Sequence, residues 1–243
     1  MQCWLNSRER NSSSFDEEVS SICRLYKDSK EIHKAGVHLE CVDEKSGIQA
    51  LERPEANKPV RSGDIEKCEH EYIRHGTQNL LASMEVATGL VFGELLDFRG
   101  SKDFLKFIKE RVSTDPQGKW IFVVDQLNTH KSSDLVKWVA NVCNIKEDLG
   151  VERKRGIIQS MKTRTEFLSN QSHRICFVYT PKHCSWMNQI EIWFSILSKK
   201  LLKRLNCTSV NSLKNRVLEF ISYFNKNMAK PFKWSYEGKV LCV

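Results

Sequence analysis

Three acidic residues in this 243-residue sequence stand where predicted secondary-structure elements begin or end. Asp43 follows the run HLECV, Asp125 follows WIFVV, and Glu191 lies in NQIEIWF, where a strongly patterned helix begins. Carboxylates in such places can meet at one edge of an open sheet, where ligand sites tend to lie. Clustered carboxylates repel one another unless a cation lies between them, and Mg²⁺ prefers hard oxygen ligands. Two such ions about 3.5 to 4 Å apart activate an attacking oxygen and stabilise a leaving one, so the three acids predict metal-dependent phosphate chemistry.

Each acid also has an interpretation that involves no chemistry. Asp43 could be a turn residue in D-E-K-S-G, and Asp125 could end its strand or accept a hydrogen bond from the backbone of Leu127 in an Asx-turn. Glu191 could belong to a capping box whose cap is Asn188, which would satisfy free amides at the start of the helix. Spacing alone leaves both interpretations open and predicts no more than a nuclease.

The elements that must position these acids follow from hydrophobic periodicity. Strands are expected at 38–42, at 48–51 as a possible return after a turn, at 80–86 and 90–98 as a hairpin, at 120–124, and at 175–179. Helices are expected at 16–35, at 101–112, after a cap at Ser132 or Ser133, at 188–205, and at 210–225. Residues 1–15 read as a polar lead-in, the segment up to Cys68 as a loop, and 145–174 has no clear assignment. The order predicts an α/β fold with a mixed sheet covered by helices.

The charge is distributed unevenly along the chain. Residues 1–150 carry 21 Lys and Arg against 25 Asp and Glu, whereas residues 151–243 carry 17 against 5. A strongly basic second part favours a polyanionic partner such as nucleic acid, because Lys and Arg release condensed counterions from phosphates. A merely solvated basic face is the alternative.

Cysteine usage and hydropathy predict a cytosolic protein. The nine cysteines include no C-x-x-C pair, and no signal peptide opens the sequence, so reduced thiols are expected. A structural zinc site is not expected, because closely spaced Cys and His pairs are lacking. No apolar run reaches the roughly 18 to 20 residues that span a bilayer.

Four longer blocks surround the acids: CVDEKSGIQALER, EYIRHGTQNLLA, VVDQLNTHKSSDLVKW and YTPKHCSWMNQIEIWFSILSKKL. They resemble the successive blocks of DDE-type transposases (DDE superfamily endonucleases) in the bacterial insertion-sequence branch of the mariner superfamily. The resemblance extends from about Gly36 to Lys239. It implies a ribonuclease-H-like fold with a mixed five-stranded sheet, and a catalytic and metal-binding triad of Asp43, Asp125 and Glu191.

The resemblance also implies what the protein acts on. Its cofactor would be Mg²⁺ or Mn²⁺, two ions in all, and its partners would be the terminal repeats of an insertion sequence and target DNA. A homodimer on paired DNA ends and a place in the bacterial cytosol, with the nucleoid, are expected. The reaction would be cleavage at the ends of the element followed by strand transfer, without a covalent protein intermediate.

Further residues of the matching blocks receive expected roles. The supporting residues are Asn128, His130 and Asn188, of which Asn128 and His130 could orient substrate or a metal-bound water. The expected DNA-binding residues are Arg74, His75, Lys182, His183, Lys199, Lys200, Lys203 and Arg204. The alternatives are a turn on which His130 packs, a solvated surface, and stabilisation of the helix dipole by the run at 199–204. Trp186, Trp193 and Phe194 are expected in the core, although base stacking is the other possibility.

The chain is expected to divide into two parts. Residues 1–36 are expected to form a linker and helix, a remnant upstream of a catalytic domain at 37–243. Full-length members of the family carry a helix-turn-helix region that recognises transposon ends, and only about 36 residues precede the first block here. One rival is therefore a truncated, non-catalytic remnant that binds DNA or inhibits a full-length copy. Another is a structure-selective or RNA-directed nuclease of the same fold.

Overall fold

The computed structural model describes residues 13–54 and 71–236. Its strands are β1 (Val37–Glu52), β2 (Ile73–Glu85), β3 (Val91–Leu96), β4 (Lys119–Val124) and β5 (Ile175–Tyr179). Its α-helices are α1 (Ser13–Lys27), α2 (Ser29–Lys34), α3 (Ser101–Ser113), α4 (Ser133–Val142), α5 (Met161–Leu168), α6 (Ile190–Lys200) and α7 (Val210–Asn227). Short 3-10 helices cover Asn128–Lys131, Ser185–Met187 and Leu202–Arg204. This composition confirms the predicted α/β class.

The strands form one five-stranded mixed sheet in the order β3-β2-β1-β4-β5. β1 pairs antiparallel with β2 and parallel with β4, and β5 extends the parallel side. β4 lies between two parallel neighbours and is apolar on both faces, as expected of a strand covered by helices on both sides. The mixed five-stranded sheet that was predicted is confirmed.

Alternate residues of the central strands face two separate cores. On one face, Leu39, Cys41 and Val123 pack in a core that includes residues of α1, α6 and α7. On the other face, Val42 and Val124 pack in a core that includes residues of α3, α4 and α5. Because side chains alternate along a strand, the position of a residue in β1 or β4 determines which layer of helices it meets.

The predicted turn at D-E-K-S-G is wrong, and the strand predicted at 48–51 is present but continues β1 instead of returning. β1 runs without a break to Glu52 and pairs with β2 before and after this segment, with a register shift between Lys45 and Ile48. Gly47 adopts a positive φ of 69°, which glycine tolerates without a steric penalty. The extra residues are therefore absorbed as a bulge, because pairing to β2 holds the strand extended where the local sequence favours a turn.

The predicted helices are present at the expected places in the chain, and the errors lie mostly in where they begin and end. The helix expected at 16–35 is divided into α1 and α2, and the one expected at 188–205 ends at Lys200 before a 3-10 turn. The unassigned segment 145–174 contains α5, which begins behind the cap Ser160. None of the helices in the described part is long and apolar enough to span a membrane.

α1 packs into the same core as β1, through Val19, Ile22 and Tyr26. The division of the chain at residues 36 and 37 remains a prediction. Most of the expected lead-in (1–12), most of the loop before Cys68 (55–70), and the last residues of the resemblance (237–239) lie outside the described ranges.

Candidate active site

Asp43 lies where β1 separates from β4. The last parallel pair joins Cys41 to Val123, so Asp43 stands two residues past the end of that ladder. Its side chain is almost buried, and Oδ1 accepts a hydrogen bond from the backbone N–H of Glu44 at 2.7 Å. Burial and the nearby charge of Asp125 raise the pKa of Asp43 to about 7. This carboxyl group would hold its charge at neutral pH more easily with a cation nearby.

Asp125 follows β4 directly, as predicted. Its Oδ1 accepts a hydrogen bond from the N–H of Leu127 at 3.0 Å, so the predicted Asx-turn is confirmed. The same oxygen lies 2.8 Å from Nδ1 of His130, an ion-pair distance with poor hydrogen-bond alignment. Burial tends to raise the pKa of Asp125, but the contact with His130, the N–H of Leu127 and the charge of Lys131 together hold that pKa below its usual value. Asp125 therefore favours the ionised form.

Glu191 lies in the first turn of α6, and the capping-box interpretation of it is wrong. The residue that caps α6 is Gln189, whose side chain makes no capping bond. Asn188 instead donates from Nδ2 to the carbonyl of Val42 at 2.9 Å, with Oδ2 of Asp43 at 3.4 Å. Its amide therefore ties the start of α6 to β1. Burial raises the pKa of Glu191, with the charge of Lys45 partly offsetting it.

The three acids lie together at one end of the sheet and influence one another electrostatically. Asp125 raises the pKa of both Asp43 and Glu191, and Glu191 raises that of Asp43. Across residues 13–54 and 71–236, no group of three His, Cys, Asp or Glu side chains is arranged closely enough to hold a metal ion. The donor set nevertheless suits Mg²⁺ or Mn²⁺, because it consists of hard carboxylate oxygens.

His130 supports Asp125 from a fully buried position. Its ring packs 4.2 Å from the ring of Phe104, and its carbonyl accepts a hydrogen bond from the hydroxyl of Tyr179 at 3.0 Å. The expected turn at Asn128 and Thr129 is present as the 3-10 helix Asn128–Lys131, but the ring of His130 packs on Phe104 and not on that turn. This packing fixes the ring beside Asp125. The other expected supporting residue of this turn, Asn128, is exposed and lines a cavity of about 360 Å³ together with Arg99.

Sequence reasoning missed three charged neighbours of the acids. Glu44 faces away from Asp43, with Oε1 3.9 Å from Nε2 of His130. Lys131 is buried, donates to Oε1 of Gln126 and lies 4.6 Å above the ring of Tyr179. Lys45 lies close enough to Glu191 for its charge to offset part of the rise in pKa that burial causes there. Strand alternation could have identified Glu44 and Lys45 once β1 was known to continue past Asp43.

The expected DNA-binding residues fall into two places. Lys182 and His183 are exposed in the loop that follows β5, at the same end of the parallel strands as Asp125. Arg74 and His75 are exposed on β2, where His75 contacts Glu52 at 2.7 Å.

Lys199, Lys200, Lys203 and Arg204 are exposed around the end of α6. The 11 residues of α6 separate them from the triad by about 15 Å. A backbone bond from Cys207 to Leu51 at 2.8 Å brings the following segment against the end of β1. Leu51 pairs with Arg74, so Arg74 lies near this second group.

Of the three aromatic residues expected in the core, Trp193 and Phe194 lie there, but the prediction for Trp186 is wrong, because Met187 is the buried residue of the 3-10 helix Ser185–Met187 that carries it. Trp193 and Phe194 are buried in the core beneath α6. Trp186 is 39% exposed and contacts the ring of Tyr236 at 5.0 Å. Base stacking on Trp193 or Phe194 is therefore ruled out by their burial.

Comparisons with known proteins agree with this geometry. The family model described as DDE superfamily endonuclease matches residues 38–214. The pre-cleavage Mos1 transpososome is similar with a TM-score of 0.58 and 12% identity, covering 91% of this chain and 58% of that chain. The Mos1 strand transfer complex is similar with a TM-score of 0.53 and 14% identity, covering 91% of this chain and 57% of that chain. The Mos1 mariner paired end complex with Mn is similar with a TM-score of 0.51 and 12% identity, covering 91% of this chain and 58% of that chain. No curated protein sequence matches significantly.

The structural similarity confirms the ribonuclease-H-like fold that was predicted. At identities of 12% to 14% it concerns the fold alone. The chain spans less than three fifths of the length of each of the three Mos1 chains named above.

Proposed function

Because the chain belongs to the DDE superfamily endonucleases, whose family model covers residues 38–214, we propose that it is the catalytic domain of a DNA transposase. It would cut DNA at the ends of an insertion sequence and join the freed 3′ end to target DNA. The lineage proposed within the family is the bacterial insertion-sequence branch of the mariner superfamily, on the four sequence blocks quoted above.

The observation that carries this proposal is that Asp43, Asp125 and Glu191 lie at the same end of the sheet, where the charge of Asp125 raises the pKa of the other two and that of Glu191 raises the pKa of Asp43. These residues would hold two divalent ions, Mg²⁺ or Mn²⁺. When bound, such ions polarise a phosphate, lower the pKa of an attacking water and neutralise the leaving oxygen. The similar Mos1 paired end complex is described with Mn, which supports a divalent ion here.

Residues around the three acids hold their carboxylates in place. The N–H of Leu127 and the ring of His130 fix Asp125, while the N–H of Glu44 fixes Asp43. Asn188 joins the start of α6 to β1 and so sets where Glu191 stands relative to Asp43. Fixed groups of this kind lower the barrier of phosphoryl transfer, because they are already oriented when the substrate arrives.

The proposed DNA contacts are phosphate contacts, which set position and carry no sequence information. Lys182 and His183 would meet the backbone near the reacting phosphate, and Arg74, His75 and the 199–204 run would meet it farther along. The basic excess of residues 151–243 supports this. The similar Mos1 structures are a transpososome and a paired-end complex, so a dimer on two DNA ends is proposed. Residues 37–243 would form the catalytic domain, acting in the bacterial cytosol on the nucleoid.

The experiment compares substrates. Purified protein is incubated with Mg²⁺ or Mn²⁺ and labelled duplex DNA, RNA–DNA hybrid or branched DNA, and both cleavage and joining to a second duplex are followed. Cleavage of duplex DNA that leaves a 3′ hydroxyl, with joined products, is expected. Preference for hybrid or branched DNA would favour a nuclease of another specificity. Binding without cleavage of any substrate would favour the non-catalytic remnant.

A further inference from the structure

Strand geometry places Lys45 in the same layer as the catalytic acids. Lys45 follows Asp43 by two residues in β1, and side chains two apart on a strand share a face. That face is the one on which Leu39 and Cys41 pack with residues of α6. Glu44, between them, faces the other layer and approaches His130.

A contact with α6 confirms this placement. Nζ of Lys45 lies 5.9 Å from the centre of the Phe194 ring. Phe194 follows Glu191 by three residues on α6, and residues three apart share a helix face. The ammonium therefore lies on the side of α6 that carries Glu191, and its charge offsets part of the rise in pKa that burial causes in that carboxyl group.

The backbone at Lys45 is shaped locally. The register shift of β1 against β2 begins at Lys45, and the N–H of Gly47 donates to Oδ1 of Asn79 at 3.3 Å, which anchors the bulge. Bulges re-aim side chains and are frequent beside active sites. Here the bulge leaves Lys45 half-buried at the rim of the acidic cluster.

Among the described residues, Lys45 forms no ion pair within 4 Å, in contrast to Lys106, which lies 2.6 Å from Glu94. A phosphate bound by the three acids and their metal ions would lie within reach of an ammonium held at that rim, which offers three rotatable donors.

We propose that Lys45 binds a DNA phosphate next to the scissile bond and holds the cut strand against the Glu191 side of the site. The inference rests on the proposed function, since it names a residue that positions the substrate of that reaction. Lys45 would be a substrate contact in addition to the basic residues named above.

The test separates DNA contact from support of Glu191. Affinity for a short duplex is measured in EDTA at several salt concentrations for the wild type, Lys45→Ala and Lys45→Arg. Lys119→Ala is the matched control, because Lys119 is also half-buried but begins β4, at the opposite end of the sheet from Asp125. Circular dichroism and urea unfolding establish that each variant is folded.

Lys45→Ala is expected to reduce the slope of log affinity against log salt by about one, because one phosphate contact is lost. Lys45→Arg should retain the slope, and Lys119→Ala should match the wild type. In Mg²⁺, Lys45→Ala should raise the KM for duplex cleavage about five- to tenfold, with a smaller loss of kcat.

An unchanged salt slope in Lys45→Ala would overturn the inference, and so would a loss confined to kcat, which would make Lys45 a support of Glu191. Because binding is measured without metal, a wild type that binds DNA but never cuts it would contradict the proposed function alone, and the slope would still decide the role of Lys45. A folded wild type that binds no DNA would overturn both.

Discussion

Replacing Asp43 with Asn should make the protein more stable, and increasingly so as pH rises. In the folded protein, burial and the charge of Asp125 raise the pKa of Asp43 from its usual value near 3.8 to about 7. Between these two values the folded state binds more protons than the unfolded state. Stability is therefore lost as pH rises from about 4 to about 7, and the loss is complete above that range.

The size of the effect follows from the pKa difference of about three units. Each unit corresponds to about 1.36 kcal/mol, so relative to low pH the raised pKa of Asp43 costs the folded state roughly 4 kcal/mol at pH 8 and about 1.5 kcal/mol at pH 5. Asn carries no charge, and its side-chain oxygen can still accept the hydrogen bond that Glu44 N–H gives to Asp43 at 2.7 Å. Asp43→Asn should therefore gain about 2 to 3 kcal/mol more over the wild type at pH 8 than at pH 5.

Urea unfolding in EDTA at pH 5 and pH 8, on the wild type and Asp43→Asn, measures this difference directly. Glu31→Gln is a matched control, because it removes one negative charge from the exposed side of α2, where the carboxylate of Glu31 pairs with Lys34 at 3.1 Å. It should change stability little at either pH. The reasoning is refuted if Asp43→Asn is no more stable than the wild type at pH 8, or if its advantage is the same at both pH values.

Three further outcomes are expected. Arg111→Met should cost about 3 to 5 kcal/mol in urea unfolding, because it leaves the carboxylate of Glu40, 2.7 Å away and buried, without its partner; a loss below about 1 kcal/mol would contradict this. Ser132→Ala should cost about 1 kcal/mol, because Oγ of Ser132 accepts the N–H of Leu135 at 3.2 Å to cap α4, and no loss would show that the cap contributes nothing. Mg²⁺ at ten times its dissociation constant should stabilise the wild type by about 1.4 kcal/mol at pH 8 and less at pH 5; equal stabilisation of Asp125→Asn would place the ion elsewhere.

Much of the fold could be predicted because its central elements carry strong local signals. β4 and β5 are short apolar runs, and the hydroxyl of Ser132 caps α4 as its position in the sequence predicted. Parallel strands covered on both faces have to be apolar throughout, so these segments are recognisable without knowledge of their neighbours.

The errors occur where a distant part of the chain determines the local structure. D-E-K-S-G has the composition of a turn, yet pairing with β2 keeps it in β1. Asn188 stands at a capping position, yet a buried carbonyl of β1 takes its amide. Such interactions depend on residues more than 30 or more than 140 positions away, which no periodicity can reveal.

In the candidate site, too, residues with a local sequence signal were identified and residues placed by distant pairing were missed. Asp125 was identifiable from the strand before it, and the Asx-turn it makes was foreseen. Lys45 and Glu44 were missed, because the assumed turn removed the alternation that assigns them to opposite faces. The catalytic roles of the triad remain predictions.

The most direct test of the central claim is nicking of supercoiled plasmid by the purified protein in Mg²⁺, Mn²⁺ or EDTA, with Asp43→Asn, Asp125→Asn and Glu191→Gln beside the wild type. The account predicts that the wild type nicks only with a divalent ion, and that each variant stays folded and binds DNA but loses nicking by at least about 100-fold, as expected when a group that stabilises the transition state is removed. Nicking at wild-type rate by any folded variant, or nicking by the wild type in EDTA, would contradict it.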